Sequence, residues 1–124
     1  MNPVTAALLK DIEDVSVIEF VALWDEFEEL AIAIYKRAAA SEAERQRFGA
    51  LIESASIAYP ALESALQPHW RGIRVKGQEL AEDPFVTLLK LSDADAIIEN
   101  WAAMQLLPAA REALNHYLLA LSAQ

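Results

Sequence analysis

The sequence predicts an all-α fold, a small antiparallel bundle of five or six helices that forms a single domain over residues 1–124. The composition is 55% hydrophobic with only three glycines, and Leu and Ala dominate, which are side chains that lose little conformational freedom in a helix. Apolar residues also recur at steps of three and four over long stretches, the spacing of a buried helix face. A chain of 124 residues is long enough to bury a hydrophobic core.

The longest helix is predicted at about 17–39, where one apolar face continues without a break. Its members are Val17, Phe20, Trp24, Phe27, Ala31, Ile34 and Ala38. A second, neighbouring row consists of Ile18, Val21, Ile32 and Tyr35. Ser16 and Glu19 have the spacing of a capping box, and Val15 and Phe20 stand where a hydrophobic staple would flank it. We therefore expect this helix to begin at Ser16.

A returning helix is predicted at about 42–66, which makes an antiparallel hairpin with the first. Ser41 and Glu44 have capping-box spacing at its start. Its apolar row is Phe48, Leu51 or Ile52, Ala55, Tyr59, Leu62 and Leu66. Pro60 interrupts the hydrogen-bond ladder but leaves this row in phase, so the pattern predicts a kink at Pro60.

Shorter elements are predicted on either side of the hairpin. Pro3 suits the first turn of a helix that we expect to reach Asp14, with an inward face of Val4, Ala7, Leu8 and Ile12. Residues 67–83 are predicted as a long ordered connection that ends in a short helix near Glu82. The alternation of Ile73 and Val75 with basic residues would equally suit a short strand.

Three helices are expected in the last third of the chain. Asp83 followed by Pro84 predicts a short helix through Leu91. Ser92 and Asp95 have capping-box spacing for a second, which carries Ile97, Ile98, Trp101 and Met104. Pro108 opens the last helix, and its inward face is Ala110, Leu114, Tyr117, Leu118 and Leu121. The tryptophans, including Trp101, are expected in the core.

Charge and cysteine content exclude several classes of function. The chain has no cysteine, which excludes disulfides, thiolate metal sites and cysteine nucleophiles. A net charge of −9 argues against duplex nucleic acid, since phosphates would be repelled. No apolar run approaches the roughly 20 residues that span a bilayer, and the start lacks a basic leader, so we expect no membrane association and a cytoplasmic location.

No arrangement of residues indicates catalysis, a metal site or a cofactor. The two histidines, His69 and His116, lack the Glu-x-x-His spacing of a di-metal bundle. Glu112 and His116 are one turn apart and predict a hydrogen-bonded surface pair. A dense acidic cluster, Asp25, Glu26, Glu28 and Glu29, is expected to be a solvated helix face. The sequence therefore predicts a protein that is not an enzyme and has no cofactor.

The segment 69–77 has the most unusual composition and is the candidate for a ligand site. It combines three basic residues with an aromatic side chain and two glycines, a mixture that suits a phosphate, a carboxylate or a stacked base. The candidate binding residues are His69, Trp70, Arg71, Arg74 and Lys76. The segment lacks the residue order of a phosphate-binding loop.

The function that we expect is a non-catalytic protein–protein interaction or assembly module that forms a homodimer. The long and the last helix are apolar around most of their circumference, and a domain of this size has room for one central helix. The candidate interface residues are Ile32, Tyr35, Tyr117, Leu118 and Leu121. The alternative is a small-ligand or ion-binding domain that uses residues 69–79. A third possibility is single-stranded nucleic-acid binding through the basic middle of the chain.

Overall fold

A computed structural model describes residues 2–123 and confirms an all-α bundle. The helices are α1 (Pro3–Leu9), α2 (Val15–Arg37), α3 (Glu42–Ala58), α4 (Glu63–Trp70), α5 (Pro84–Leu89), α6 (Ala94–Glu99), α7 (Trp101–Met104) and α8 (Leu106–Ser122). A two-residue hairpin, β1 (Arg74–Val75) and β2 (Gln78–Glu79), lies between α4 and α5. Helix α8 packs against α1, α4 and α5, and α2 packs against α3 and α6. Within residues 2–123, the helices are all too short or too polar to cross a membrane.

Helices α2 and α3 pack against each other, in agreement with the predicted hairpin. The capping box at Ser41 is present, because the Glu44 amide bonds to the Ser41 hydroxyl and the Ser41 amide to the Glu44 carboxylate. The expected capping box at Ser16 is wrong. Asp14 caps α2 by accepting from the Ser16 amide, since Asp competes well for the orphan amides of a first turn. Val15 is exposed and forms no staple.

The α2 helix ends earlier than predicted, and its last expected core residue is at the surface. Ala38 adopts the left-handed conformation with φ 54° and its amide bonds to the Tyr35 carbonyl. A left-handed residue at this position closes the open carbonyls of a helix end. Ala38 is therefore exposed, whereas the other members of the predicted face are all buried: Val17, Phe20, Trp24, Phe27, Ala31 and Ile34.

The returning helix is broken near Pro60 instead of being kinked within one element. Helix α3 ends at Ala58, a 3-10 turn covers Tyr59–Ala61, and α4 resumes at Glu63. The tighter turn accommodates the missing amide of Pro60. The apolar row stays in phase and is buried throughout: Phe48, Leu51, Ala55, Tyr59, Leu62 and Leu66.

Residues 67–83 differ from the expected ordered connection with a short helix near Glu82. Helix α4 continues to Trp70, and the strands of the small hairpin pair Arg74 with Glu79. Lys76 and Gly77 form its turn with φ 53° and 80°, the positive values that a tight two-residue hairpin turn requires. The alternation of Ile73 and Val75 with basic residues was the pattern that indicated the strand, because side chains in a β-strand point to opposite faces with a period of two.

Aromatic side chains from α2, α3, the 3-10 turn and α5 pack together in the core. Trp24 contacts Phe27 and Phe85, with ring centroids 5.0 Å and 4.8 Å apart. Phe20 lies 5.4 Å from Tyr59. Tyr59 also donates its hydroxyl hydrogen to Asp83, which caps α5. Burial of each large apolar side chain stabilises the fold by roughly 1.5–3 kcal/mol. This cluster therefore stabilises the packing of α2 and α3 against α5.

Four smaller expectations about the helices are wrong. Helix α1 ends at Leu9 rather than Asp14, and it buries Thr5 while Val4 and Ala7 are exposed, because the threonine hydroxyl has polar partners inside. Asp93, not Ser92, caps α6. The helix predicted beyond that cap is divided at Asn100, which caps α7.

Candidate interaction site

An apolar groove lies between α2 and the start of α8, and we call it the Trp101 groove. Its volume is about 500 Å³, within the range of small-molecule and peptide-binding clefts. It is lined by Glu28, Ile32, Tyr35, Lys36, Trp101, Met104, Gln105, Leu107, Pro108 and Arg111. The α2 wall is formed by residues spaced at three and four, and the opposite wall by α7 and the first turns of α8.

Two large apolar side chains of the groove are open to solvent. Trp101 is 55% exposed and Ile32 is 36% exposed, so the expectation that Trp101 belongs to the core is wrong. Lys76 of the hairpin turn lies over one face of its indole, with Nζ 3.8 Å from the ring centroid. An exposed cation–π contact of this kind contributes about 0.5–1 kcal/mol. The tryptophan is therefore oriented, but it is not covered.

A buried polar network closes one end of the groove. Arg111 of α8 donates from Nη2 to Asp25 Oδ1 at 3.0 Å and from Nε to Glu28 Oε2 at 3.1 Å. Its Nη1 donates to Thr5 Oγ1 at 3.1 Å, and Thr5 donates in turn to Asn115 Oδ1 at 3.2 Å. The side chains of Arg111 and Asp25 are only 13% and 8% exposed. One guanidinium thus joins α1, α2 and α8.

Glu28 is the carboxylate of this network that lines the groove. Its burial raises the pKa of the carboxyl above the ordinary value, and this effect exceeds the opposing attraction and hydrogen bonds of Arg111. The neighbouring charges of Asp25 and Glu29 raise the pKa further. Because its pKa is raised, the Glu28 carboxyl takes up a proton at a higher pH than an exposed glutamate does.

The acidic cluster of α2 is divided between two environments, and the expected solvated face is wrong for half of it. Asp25 and Glu28 are drawn inside by Arg111. Glu26 stays exposed and pairs with Arg47 of α3. The three-residue spacing of Asp25 and Glu28 was a signal that they share a helix face. Their partner, Arg111, is 83 residues away from Glu28, and no local pattern in the sequence indicates it.

Basic residues near the hairpin turn also pair between elements. Arg37 at the end of α2 pairs with Glu44 of α3, and Arg45 of α3 pairs with Asp95 of α6. The latter pair raises the pKa of the Arg45 guanidinium and lowers the pKa of the Asp95 carboxyl through a direct hydrogen bond. These exposed pairs help to fix the relative positions of α2, α3 and α6.

The structure brings only two of the five predicted ligand residues to one cavity. His69 and Arg74 line a polar cleft of about 480 Å³ together with Glu112 and His116. The other three point elsewhere, since Trp70 is buried and Arg71 exposed, while Lys76 lies on Trp101. The predicted 69–77 site is therefore divided between the cleft, the core and the groove.

The side chains around this cleft affect the pKa of His69. Burial lowers the pKa of the His69 imidazole, and the nearby charge of His116 lowers it further. His116 Nε2 lies 4.0 Å from Glu112 Oε1, and both side chains are half exposed, so the two residues are neighbours at the surface but are too far apart for the expected hydrogen bond. Arg74 donates to the Gly77 carbonyl at 3.1 Å and lies 3.6 Å from Glu79, so its guanidinium makes contacts within the hairpin as well as lining the cleft.

The predicted interface residues separate in the same way. Ile32 and Tyr35 line the Trp101 groove, whereas Tyr117 and Leu121 are half-buried at the other end of α8. Leu118 is fully buried within its own chain and leaves no surface for a partner. Of the sequence-based candidates, the α2 pair remains as part of a site.

The rest of the described chain offers little other chemistry. No group of three or more His, Asp or Glu side chains within residues 2–123 could hold a metal ion. Comparison with protein-family models, curated proteins and solved structures found no match. The functional argument therefore rests on the geometry of the Trp101 groove.

Proposed function

We propose that this domain is a non-catalytic interaction module that self-associates, with the Trp101 groove of one copy meeting that of a second. The observation that carries the proposal is the exposed Trp101 beside Ile32 on the wall of an apolar groove. Tryptophan, tyrosine, methionine and arginine are the residues enriched at protein interfaces, and each occurs in this lining. A partner that covers the indole would remove its apolar area from water.

A second copy fits this surface because the patch is complementary to itself. It contains both a projecting side chain, Trp101, and the hollow beside it, as an interface with two-fold symmetry requires. Its α2 wall carries the acid Glu28 at one end and the base Lys36 at the other. A two-fold axis perpendicular to α2 brings the acidic end of one copy to the basic end of the other, which supports a homodimer over a partner of one charge sign.

The test is the effect of Trp101→Ala on assembly. We expect the wild-type chain to form a dimer in sedimentation experiments and the Trp101→Ala variant to dissociate with a Kd at least about tenfold weaker, because hot-spot truncation costs about 2 kcal/mol or more. The matched control is Ile57→Ala, since Ile57 is 76% exposed on α3 and does not line the groove. Equal effects of both substitutions would contradict the proposal.

A second candidate function is small-ligand binding in the cleft of His69, Arg74 and His116. It is supported by two predicted ligand residues sharing one polar cavity. A thermal-shift panel of phosphorylated metabolites, nucleotides and divalent cations tests it, with Arg74→Ala as the variant that should abolish any shift. Arg71→Ala is the control, because Arg71 is exposed outside the cleft. A panel without any shift would refute this candidate.

A further inference from the structure

We infer that the two copies meet through antiparallel α2 helices related by a two-fold axis at the Ile32–Ala33 turn. This inference rests on the self-association proposed above and specifies its register. It names the surface that Trp101 contacts in the partner. Three features of the chain support it, namely the exposed stripe of α2, the charges of that stripe and the position of Trp101.

The outermost stripe of α2 is suited to close helix packing. Glu29, Ile32, Ala33 and Lys36 are all exposed and stand at steps of three and four, so they share one face. Ala33 is small, and it allows a second backbone to approach near the middle of the stripe. Ile32 supplies apolar area at the same level. The centre of the stripe is therefore apolar and its ends are charged.

The two ends of this stripe have opposite charge. Glu29 lies at one end and Lys36 at the other, about 10 Å away at 1.5 Å per residue. In an antiparallel pair the acidic end of each copy faces the basic end of the other, and this holds if the register slips by one residue. A parallel pair would place like charges opposite each other, which is destabilising.

Lys36 is the cation that matters most in this arrangement. Arg37 already pairs with Glu44 of its own chain, whereas Lys36 lines the groove and faces the partner. Opposing Glu29 and Lys36 gives two equivalent ion pairs, one at each edge of the apolar centre. Rim pairs contribute little affinity but fix register and orientation.

Trp101 completes the interface from the opposite wall of the groove. Lys76 holds one face of its indole within the chain, which leaves the exposed part of the ring to pack on the partner's α2. A groove with its own α2 on one side and Trp101 on the other then receives the second α2 between them. By symmetry, α2 and Trp101 of each copy contribute to the interface.

Disulfide trapping tests the register directly, because the chain has no cysteine. We prepare Ile32→Cys, Glu29→Cys and Lys36→Cys, all at exposed positions, and oxidise them mildly. In the antiparallel register the two copies of position 32 are offset by about 1.5 Å along the axis and the two copies of position 29 or 36 by about 10 Å, beyond disulfide reach. Two copies of Ile32→Cys should cross-link to each other. In an equal mixture of Glu29→Cys and Lys36→Cys, each cross-link should join one copy of the first variant to one copy of the second.

The control is Ile57→Cys on α3, which measures cross-linking by collision. Self-linking of Glu29→Cys or Lys36→Cys as efficient as that of Ile32→Cys would show a parallel pair and overturn the inference. Linking of Ile32→Cys no faster than that of Ile57→Cys would overturn it as well. If either cross-linking result is found but the wild-type chain is a dimer that the Trp101→Ala substitution weakens, then the register is wrong and self-association stands. A monomeric wild-type chain would refute both.

Discussion

Arg111 and Asp25 are separated by 86 residues, yet Nη2 of the guanidinium lies 3.0 Å from Oδ1 of the carboxylate. The same guanidinium reaches Glu28 on the next turn of α2 and Thr5 on α1. A single side chain of α8 therefore positions the acidic wall of the Trp101 groove. Fold stability and the shape of the groove depend on the same network.

Loss of Arg111 should destabilise the domain strongly. The substitution Arg111→Met keeps the aliphatic length but leaves two acidic side chains inside without their cation, which costs about 3 kcal/mol for a largely buried pair. Urea unfolding followed by circular dichroism measures this free energy of unfolding. Arg71→Met is the matched control, because Arg71 is exposed, and its effect should stay within about 0.5 kcal/mol. A loss below about 1 kcal/mol for Arg111→Met would show that the network is not structural.

Removal of the Thr5 hydroxyl should release α1. Thr5→Val is nearly isosteric, but it leaves Arg111 Nη1 and Asn115 without the bridging oxygen, at a cost of about 1–3 kcal/mol. Hydrogen exchange of the α1 amides should become faster than in the wild-type chain. Val4→Ala, at an exposed neighbouring position, should leave that exchange unchanged. Equal protection of α1 in Thr5→Val would contradict the role assigned to the hydroxyl.

The two serines near helix starts should behave differently. Ser41→Ala removes the hydroxyl that accepts from the Glu44 amide in the capping box. It should lower the free energy of unfolding by about 1 kcal/mol. Ser16→Ala should have little effect, since Asp14 provides the cap of α2. Chemical denaturation of both variants gives the comparison, and a larger loss for Ser16→Ala would reverse the assignment.

The His69 imidazole should titrate below its ordinary pKa of 6.5. Burial lowers its pKa first and the charge of His116 second, so His116→Gln should raise the pKa of His69. Between the folded-state pKa and the ordinary value the unfolded chain binds more protons, and stability therefore falls as the pH drops through this window. NMR titration of the imidazole signals in both proteins measures the shift. An unchanged or lower pKa in His116→Gln would exclude the proximity of the two rings.

Periodicity predicted the fold well where one strong pattern dominated. The buried face from Val17 to Ile34 and the row from Phe48 to Leu66 follow directly from the three-and-four spacing, and Ser41 follows from its capping box. Boundaries were less predictable because several residues compete for the same end. Asp14 displaced Ser16 as a cap, and the left-handed Ala38 ended α2 within its apolar row.

The groove was not predictable, because its parts come from distant segments. Ile32 and Tyr35 were identified as surface candidates from their row on α2, but Trp101 has the same spacing to Ile97 and Ile98 as a core residue. Only the break at Asn100 turns it outward. The partnership of Arg111 with Asp25 and Thr5 likewise depends on tertiary packing, since no sequence pattern relates residues so far apart.

Sedimentation velocity of the wild-type chain over a wide concentration range tests the central proposal most directly. Self-association through the Trp101 groove predicts a species with twice the chain mass of 13.7 kDa, whose population falls on dilution and on substitution of Trp101. A single 13.7 kDa species at every concentration would contradict the proposal.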